Sequence, residues 1–180
     1  MTKVSSVGDD IRFHLARETR ALHDVVDQQA EFNDLHTAEG VAGLLRFFRK
    51  GFGRIETALE RSGAEAVLPA FPERRRAALI DADLASGSSG EIPAEAAAED
   101  LVFLSPAEIW GALYVVEGSR LGARMMARAS DATRASRFLS ESAECRYWPT
   151  FLAALSEADA TLADRDGMVA GAHKAFRAFL

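Results

Sequence analysis

Apolar residues recur along most of the chain with the spacing of an amphipathic helix. In residues 9–28, Leu15, Leu22 and Val26 stand at i, i+7 and i+11, so they share one stripe of a helix. No stretch of the sequence alternates apolar and polar residues with the two-residue period of a half-buried strand. The pattern therefore predicts an all-α protein.

Local signals indicate where the helices begin and end. Thr37 can cap a helix, Pro72 suits a first helical turn, and Ser105 with Glu108 reads as a capping box followed by Pro106. The stretch 86–100 contains three Ser, two Gly and a Pro and is expected to be a loop. The helices that follow from these signals are 9–28, 38–61, 72–85, 106–129, 131–142, 145–163 and 167–180. We expect one domain of six to eight helices over residues 1–180, with residues 1–8 disordered.

Composition narrows the class of protein. The chain has 180 residues, 48% of them hydrophobic, and a net charge of −6, which argues against general affinity for nucleic acid. It contains no apolar run near the roughly 20 residues of a membrane span, and its first 20 residues lack the apolar centre of a secretory signal. The single cysteine, Cys145, excludes an internal disulfide. A cytoplasmic protein that does not bind membranes is the expectation.

The stretch ALYVVEGSRLGARMMARA, residues 112–129, contains glycines where a helix is predicted. At about 100° per residue, Gly111, Val115, Gly118 and Gly122 fall on one narrow stripe. A glycine inside a helix is unfavourable by roughly 1 kcal/mol relative to alanine, so the stripe needs a reason. Close packing of another helix is one reason, and the spacing alone favours it. The other is a flat ligand that lies directly on the backbone, with a bend of the helix at the glycines.

The same helix carries polar residues beside the glycines. Ser119 follows Gly118 directly and can bend a helix or bond locally. Arg120, Arg124 and Arg128 form a row at i, i+4 and i+8, which is typical of a solvated face. As a functional surface, the row would suit the docking of an acidic redox partner.

One of the four histidines has suggestive neighbours. Thr19 lies four residues before His23 and Asp27 lies four residues after it, so all three share a helix face. A surface pair of His23 with Asp27 is the plain interpretation. The functional interpretation is a neutral imidazole that binds a metal and is oriented by its neighbours.

Three motifs together resemble the heme oxygenase family. They are ETRALH at 18–23, YVVEGSRLGAR at 114–124 and WPTFLAAL at 148–155. The similarity in motif order and helical pattern covers nearly the whole chain and is greatest to the bacterial, phytochrome-associated branch, which produces biliverdin. The resemblance implies a helical bundle in which heme lies between a proximal helix and a glycine-kinked distal helix.

The resemblance also implies roles for residues of both helices. On the proximal helix His23 would be the iron ligand, and Thr19 and Arg20 would help to bind heme, with Arg20 near a propionate. On the distal helix the catalytic positions would be Gly118, Ser119 and Gly122, and the two glycines would also contact the heme.

The implied reaction is the oxidative cleavage of heme to biliverdin, carbon monoxide and ferrous iron. It uses dioxygen and an external electron donor such as a ferredoxin, a flavodoxin or a reductase, and its product would suit a bilin photoreceptor. Heme is then both substrate and cofactor.

Two positions depart from the family pattern. Ala123 stands where the distal motif often has a second glycine, and Pro149 stands where an arginine often follows the tryptophan. If that arginine holds a propionate, another cation such as Arg146 must replace it here. Pro149, together with the absence from the predicted helix 38–61 of the tyrosines common there in the family, supports a second hypothesis, a catalytically inactive heme-oxygenase-like binding or signalling protein with a degenerate heme site.

Overall fold

The computed structural model describes residues 10–31, 34–87, 101–142 and 147–180. Every regular element within these ranges is an α-helix, which confirms the all-α class. The expected disorder of residues 1–8 falls outside the described residues, as do most of the expected loop 86–100 and residues Cys145 and Arg146. Among the helices described, none has the length and apolar character needed to cross a bilayer.

The described ranges contain ten helices. Their bounds are α1 Ile11–Glu31, α2 Ala38–Arg61, α3 Ala64–Val67, α4 Phe71–Arg74, α5 Ala77–Ser86, α6 Pro106–Met126, α7 Asp131–Ala135, α8 Arg137–Ser142, α9 Tyr147–Leu162 and α10 Arg165–Arg177.

Side-chain caps explain where α2 and α6 begin. The Thr37 hydroxyl accepts the N–H of Gly40 at 3.0 Å, and the Ser105 hydroxyl accepts the N–H of Glu108 at 3.2 Å. Both predicted starts are thereby confirmed. The capping box at α6 differs in one detail, because the Glu108 carboxylate accepts the N–H of Leu104 instead of that of Ser105.

The helix predicted over 72–85 is two helices in the structure. Arg75 is extended, with φ −65° and ψ 142°, and separates α4 from α5. The Glu56 carboxylate, which belongs to α2, accepts the backbone N–H groups of Arg76 at 2.7 Å and Ala77 at 3.1 Å. Because these N–H groups are satisfied from another helix, the chain can start a new helix there.

The helix predicted over 131–142 is divided for the same reason. Ser136 is extended and separates α7 from α8. The Asp83 carboxylate of α5 accepts the Ser136 hydroxyl at 2.7 Å and the backbone N–H groups of Arg137 at 3.0 Å and Phe138 at 2.9 Å. A carboxylate distant in sequence therefore ends one helix and caps the next in both places.

Helix α10 packs against α6 with unusually close backbones. A Cβ on Gly111 would lie 1.8 Å from the carbonyl oxygen of Met168, and a Cβ on Gly171 would lie 1.9 Å from that of Glu108. Both α9 and α10 pack against α6 and also against α1. The two helices that carry the predicted site residues are thus connected through the same pair of neighbours.

Candidate functional site

The glycine stripe of α6 divides into a packed part and an open part. Gly111 belongs to the contact with α10. A Cβ on Gly118 would meet only the Trp148 ring, at an ordinary distance of 3.7 Å, and a Cβ on Gly122 would meet no described atom within 4 Å. Helix packing therefore explains Gly111 but not the other two. We call the backbone surface at Gly118 and Gly122 the open face of α6.

Aromatic side chains border the open face. The buried Trp148 ring lies 6.2 Å from the Tyr114 ring and stacks on Phe151 at 5.8 Å. Burial raises the pKa of the Tyr114 phenol, and the positive charge of Arg12 partly opposes that rise. Tyr114 is half-buried, and Arg12 of α1 lies close enough for its charge to act on the phenol.

His23 presents an accessible imidazole on α1. Its side chain is 57% exposed, and its Nδ1 lies 3.0 Å from the Asp27 carboxylate. The ring meets the edge of Phe176 with centroids 5.8 Å apart. Within the described residues Nε2 has no hydrogen-bond partner, so this nitrogen is available to an external ligand or metal.

The other two predicted residues of α1 lie in different environments. Thr19 is buried, and its hydroxyl donates to the Leu15 carbonyl at 2.8 Å, so its hydrogen is directed to its own helix. The Arg20 side chain is 81% exposed and lies 4.0 Å from the Asp24 carboxylate. Such a loose surface pair leaves the guanidinium free to turn towards another anion.

Ser119 points away from the predicted ligand side. Its hydroxyl donates to the Val116 carbonyl at 2.6 Å and accepts a hydrogen bond from the Arg76 guanidinium at 2.6 Å. The structure therefore connects Ser119 to the protein interior, and its predicted catalytic role remains a prediction. Helix α6 runs through Ser119 without interruption from Pro106 to Met126, and the kink at its glycines also remains a prediction.

A group of buried charges beneath α6 was missed in the sequence. We call it the arginine cluster, and it consists of Arg74, Arg76, Arg120, Glu56 and Glu117. The row interpretation was wrong for Arg120, which is 3% exposed, whereas Arg124 and Arg128 are exposed as expected. The only signal in the sequence was an arginine run in a stretch that otherwise looked like an amphipathic helix, and such a run is usually solvated.

Glu117 holds two of these arginines. Its Oε2 accepts Arg74 Nη1 at 3.0 Å and Arg120 Nε at 3.1 Å, and its Oε1 accepts Arg120 Nη2 at 3.2 Å. Both guanidiniums also lie over the Tyr147 ring, at 4.8 and 5.0 Å from its centroid. The cluster thereby connects α4 to α6 through charge-assisted hydrogen bonds, which are the strong class, and connects both helices to α9 through the two contacts with the Tyr147 ring.

Arg76 is the most deeply desolvated member. Its pKa is lowered to about 9, mainly by burial and also by the nearby charge of Arg120, while Glu56 and Glu117 act in the opposite direction. The guanidinium lies over the Phe52 ring at 4.7 Å and donates to the Ser142 hydroxyl at 3.0 Å. At neutral pH a pKa of about 9 keeps Arg76 charged.

Comparison with solved structures identifies the fold. A heme oxygenase from Neisseria meningitidis, solved with NO and CO bound, superposes with a TM-score of 0.72 over 95% of this chain and 88% of that chain. This chain has the fold of a heme oxygenase. The two sequences are 18% identical, so the similarity establishes the fold alone. No family model and no curated protein matches the chain.

Proposed function

We propose that the protein is a heme oxygenase, which cleaves heme to biliverdin, carbon monoxide and ferrous iron with dioxygen and an external electron donor. The observation that carries the proposal is the open face of α6 in a chain with this fold. Gly118 and Gly122 cost helix stability and are not required by any described packing contact. A flat ligand that lies on the bare backbone accounts for both.

The residues present fit a heme between α1 and α6. His23 would ligate the iron through Nε2, because Nδ1 faces Asp27 and a carboxylate at one imidazole nitrogen is the usual way to orient a metal-binding histidine. Gly118 and Gly122 would leave room on the opposite heme face. Arg20 would reach a propionate, since its guanidinium is exposed and only loosely paired.

These positions indicate which part of the reaction heme would supply and which part the protein would supply. Bound heme supplies the oxygen chemistry, and the protein binds and orients it. His23 would hold the iron, and the absence of side chains at Gly118 and Gly122 would leave space for dioxygen. We assign Thr19 a supporting role, because it lies one turn before His23 and its buried hydroxyl bonds the Leu15 carbonyl of the same helix.

The electron donor would dock on an exposed cationic surface. Arg124 and Arg128 both lie exposed on or just after the last turn of α6. They would attract an acidic ferredoxin, a flavodoxin or a reductase domain. We further propose that the reaction is cytoplasmic and that the biliverdin serves a bilin photoreceptor, as in the phytochrome-associated branch.

A second candidate is an inactive heme-oxygenase-like protein that binds heme or a signalling partner. Pro149 in place of an arginine favours it, because the site then loses one cation for a propionate. The position of Ser119 favours it as well, since the hydroxyl bonds Arg76 and Val116 instead of facing the open face.

Heme titration followed by a reductant in air tests the proposal. We expect a saturable Soret band at equimolar heme, which decays to the absorption of biliverdin when ascorbate is added. A Soret band that saturates but does not decay would support the inactive candidate. The absence of a saturable band would contradict heme binding altogether.

His23→Ala tests the iron ligand, with His14→Ala as the matched control. His14 is also on α1 but bonds the Arg17 guanidinium at 3.0 Å through Nδ1. We expect His23→Ala to lose the axial imidazole signature in the heme spectrum and His14→Ala to retain it. An unchanged spectrum of His23→Ala would show that another residue ligates the iron.

A further inference from the structure

We propose that Arg76 is a positioning residue that holds the open face of α6 in place from the opposite side of the helix. The effect on heme cleavage rests on the proposed function. The effect on the helix does not, and it is testable without heme.

The open face leaves α6 supported unevenly. A side chain at Gly122 would find no described neighbour within 4 Å, and one at Gly118 would find only the rim of the Trp148 ring. Side-chain packing on this side therefore contributes little to the stability of the segment 116–122. The contacts on the other side of the helix must provide what the glycines lack.

Arg76 makes the closest of those contacts. Its Nη2 donates to the Val116 carbonyl and to the Ser119 hydroxyl, both at 2.6 Å, and these residues stand two positions before and one position after Gly118. The Ser119 hydroxyl donates in turn to the same carbonyl at 2.6 Å. One guanidinium group thus fixes the backbone and a side chain of α6 next to Gly118.

Arg76 is itself held rigidly at both ends. Its backbone N–H donates to the buried Glu56 carboxylate at 2.7 Å, which fixes the start of α5. Its guanidinium lies between the rings of Phe52 and Phe138, at 4.7 and 5.5 Å, and donates to Ser142. Arg76 is 2% exposed and is bonded at both ends, so it fixes the position of α6 relative to α2 and α5.

Heme cleavage would depend on the hydrogen bonds of Arg76, because they fix the distance between the α6 backbone and the heme. If heme lies on the backbone at Gly118 and Gly122, a shift of that backbone alters the space on the distal side of the iron. Arg76 bonds Val116 and Ser119 and would not contact the heme itself, so its role is to position the backbone at the two glycines. We therefore expect its substitution to alter the ratio of biliverdin isomers more than the affinity for heme.

Hydrogen exchange of the protein without heme tests the anchor. Arg76→Lys keeps the charge but cannot hold Val116 and Ser119 with one planar group. We expect the amides of residues 119–122 to exchange about tenfold faster, which corresponds to the loss of one charge-assisted bond, while the amides of α10 are unchanged. Ser119→Ala should give a smaller increase in the same segment. It also serves as the second variant if Arg76→Lys fails to fold.

Arg54→Lys is the matched control. Arg54 is a part-buried arginine that also donates to a backbone carbonyl, that of Ala178 at 3.2 Å, and this carbonyl lies just after α10 and not in α6. Its substitution should leave exchange in 119–122 unchanged. If Arg76→Lys accelerates amide exchange equally in 119–122 and in α10, the substitution causes a general loss of stability. If neither Arg76→Lys nor Ser119→Ala accelerates exchange in 119–122, the segment is held by other contacts. Each result would overturn the proposal.

Heme-loaded variants provide the second readout. We expect Arg76→Lys to bind heme with an unchanged midpoint and to give a different ratio of biliverdin isomers, whereas Arg54→Lys gives the wild-type ratio. An unaltered ratio in Arg76→Lys would overturn the effect on cleavage. If the wild-type protein takes up no heme, the proposed function fails, and hydrogen exchange still decides whether Arg76 anchors α6.

Discussion

Substitution by alanine should change the stability of the protein in opposite directions at the two ends of the glycine stripe of α6. Gly111→Ala and Gly122→Ala each add one methyl group to the same helix, eleven residues apart. At Gly111 the methyl carbon would lie 1.8 Å from the Met168 carbonyl oxygen and 2.8 Å from the Ala172 nitrogen, which are both backbone atoms. At Gly122 it would meet nothing described within 4 Å.

The expected changes in the free energy of unfolding have opposite signs. Overpacking of a core contact costs about 1–3 kcal/mol, and Gly111→Ala should lie at the upper end because the backbones of α6 and α10 must separate. Gly122→Ala removes the penalty of a helical glycine and should raise the free energy of unfolding by up to about 1 kcal/mol. Gly118→Ala should be close to neutral or slightly stabilising, since its methyl would touch the Trp148 ring at 3.7 Å.

Thermal unfolding of the protein without heme measures these differences. For a chain of this size, 1 kcal/mol shifts Tm by about 2–4 °C, so Gly122→Ala should melt above the wild type and Gly111→Ala well below it. Heme titration of the same variants completes the test. If heme lies on the open face, Gly118→Leu should still bind heme but lose turnover, because its side chain would occupy the space for dioxygen.

Two results would refute this reasoning. If Gly122→Ala destabilises the protein, the open face is covered by a packing contact, and the ligand interpretation loses its main support. If Gly118→Leu turns heme over at the wild-type rate, the glycines do not serve oxygen access. If Gly122→Ala is more stable than the wild type but turns heme over more slowly, the native glycine lowers stability and is required for turnover.

Two further predictions concern the carboxylates that divide the predicted helices. Asp83→Ala removes the acceptor of three hydrogen bonds at the start of α8 and should lower the free energy of unfolding by about 2 kcal/mol, whereas the same change at the exposed Asp131 should have almost no effect; thermal melts compare them. Burial raises the pKa of Glu56 from 4.5, so the folded state holds its proton more tightly than the unfolded chain does. Wild-type stability relative to Glu56→Gln should therefore fall as the pH rises from 4.5 through the raised pKa, and urea unfolding over that range would show no such trend if the carboxyl were solvated.

The helices themselves were predictable because their signals are local. The apolar period and the caps at Thr37 and Ser105 depend on residues within one or two turns, and they gave the bounds of α2 and the start of α6 correctly. The motifs around His23 and Gly118 likewise indicated the family whose fold the structure has. The breaks at Arg75 and Ser136 were not predictable, because the carboxylates that cause them come from other helices.

The sequence by itself determined that α6 is a helix with three aligned glycines and a row of arginines. Only the tertiary structure decided that Gly111 packs on α10 while Gly122 is open, and that Arg120 is buried while Arg124 is exposed. Helical spacing gives the direction in which a side chain points around the helix axis. It does not give the position along the axis at which a packed helix begins or ends. Burial and access, and with them the difference between a packing contact and a ligand surface, depend on where α9, α10 and the arginine cluster meet the helix.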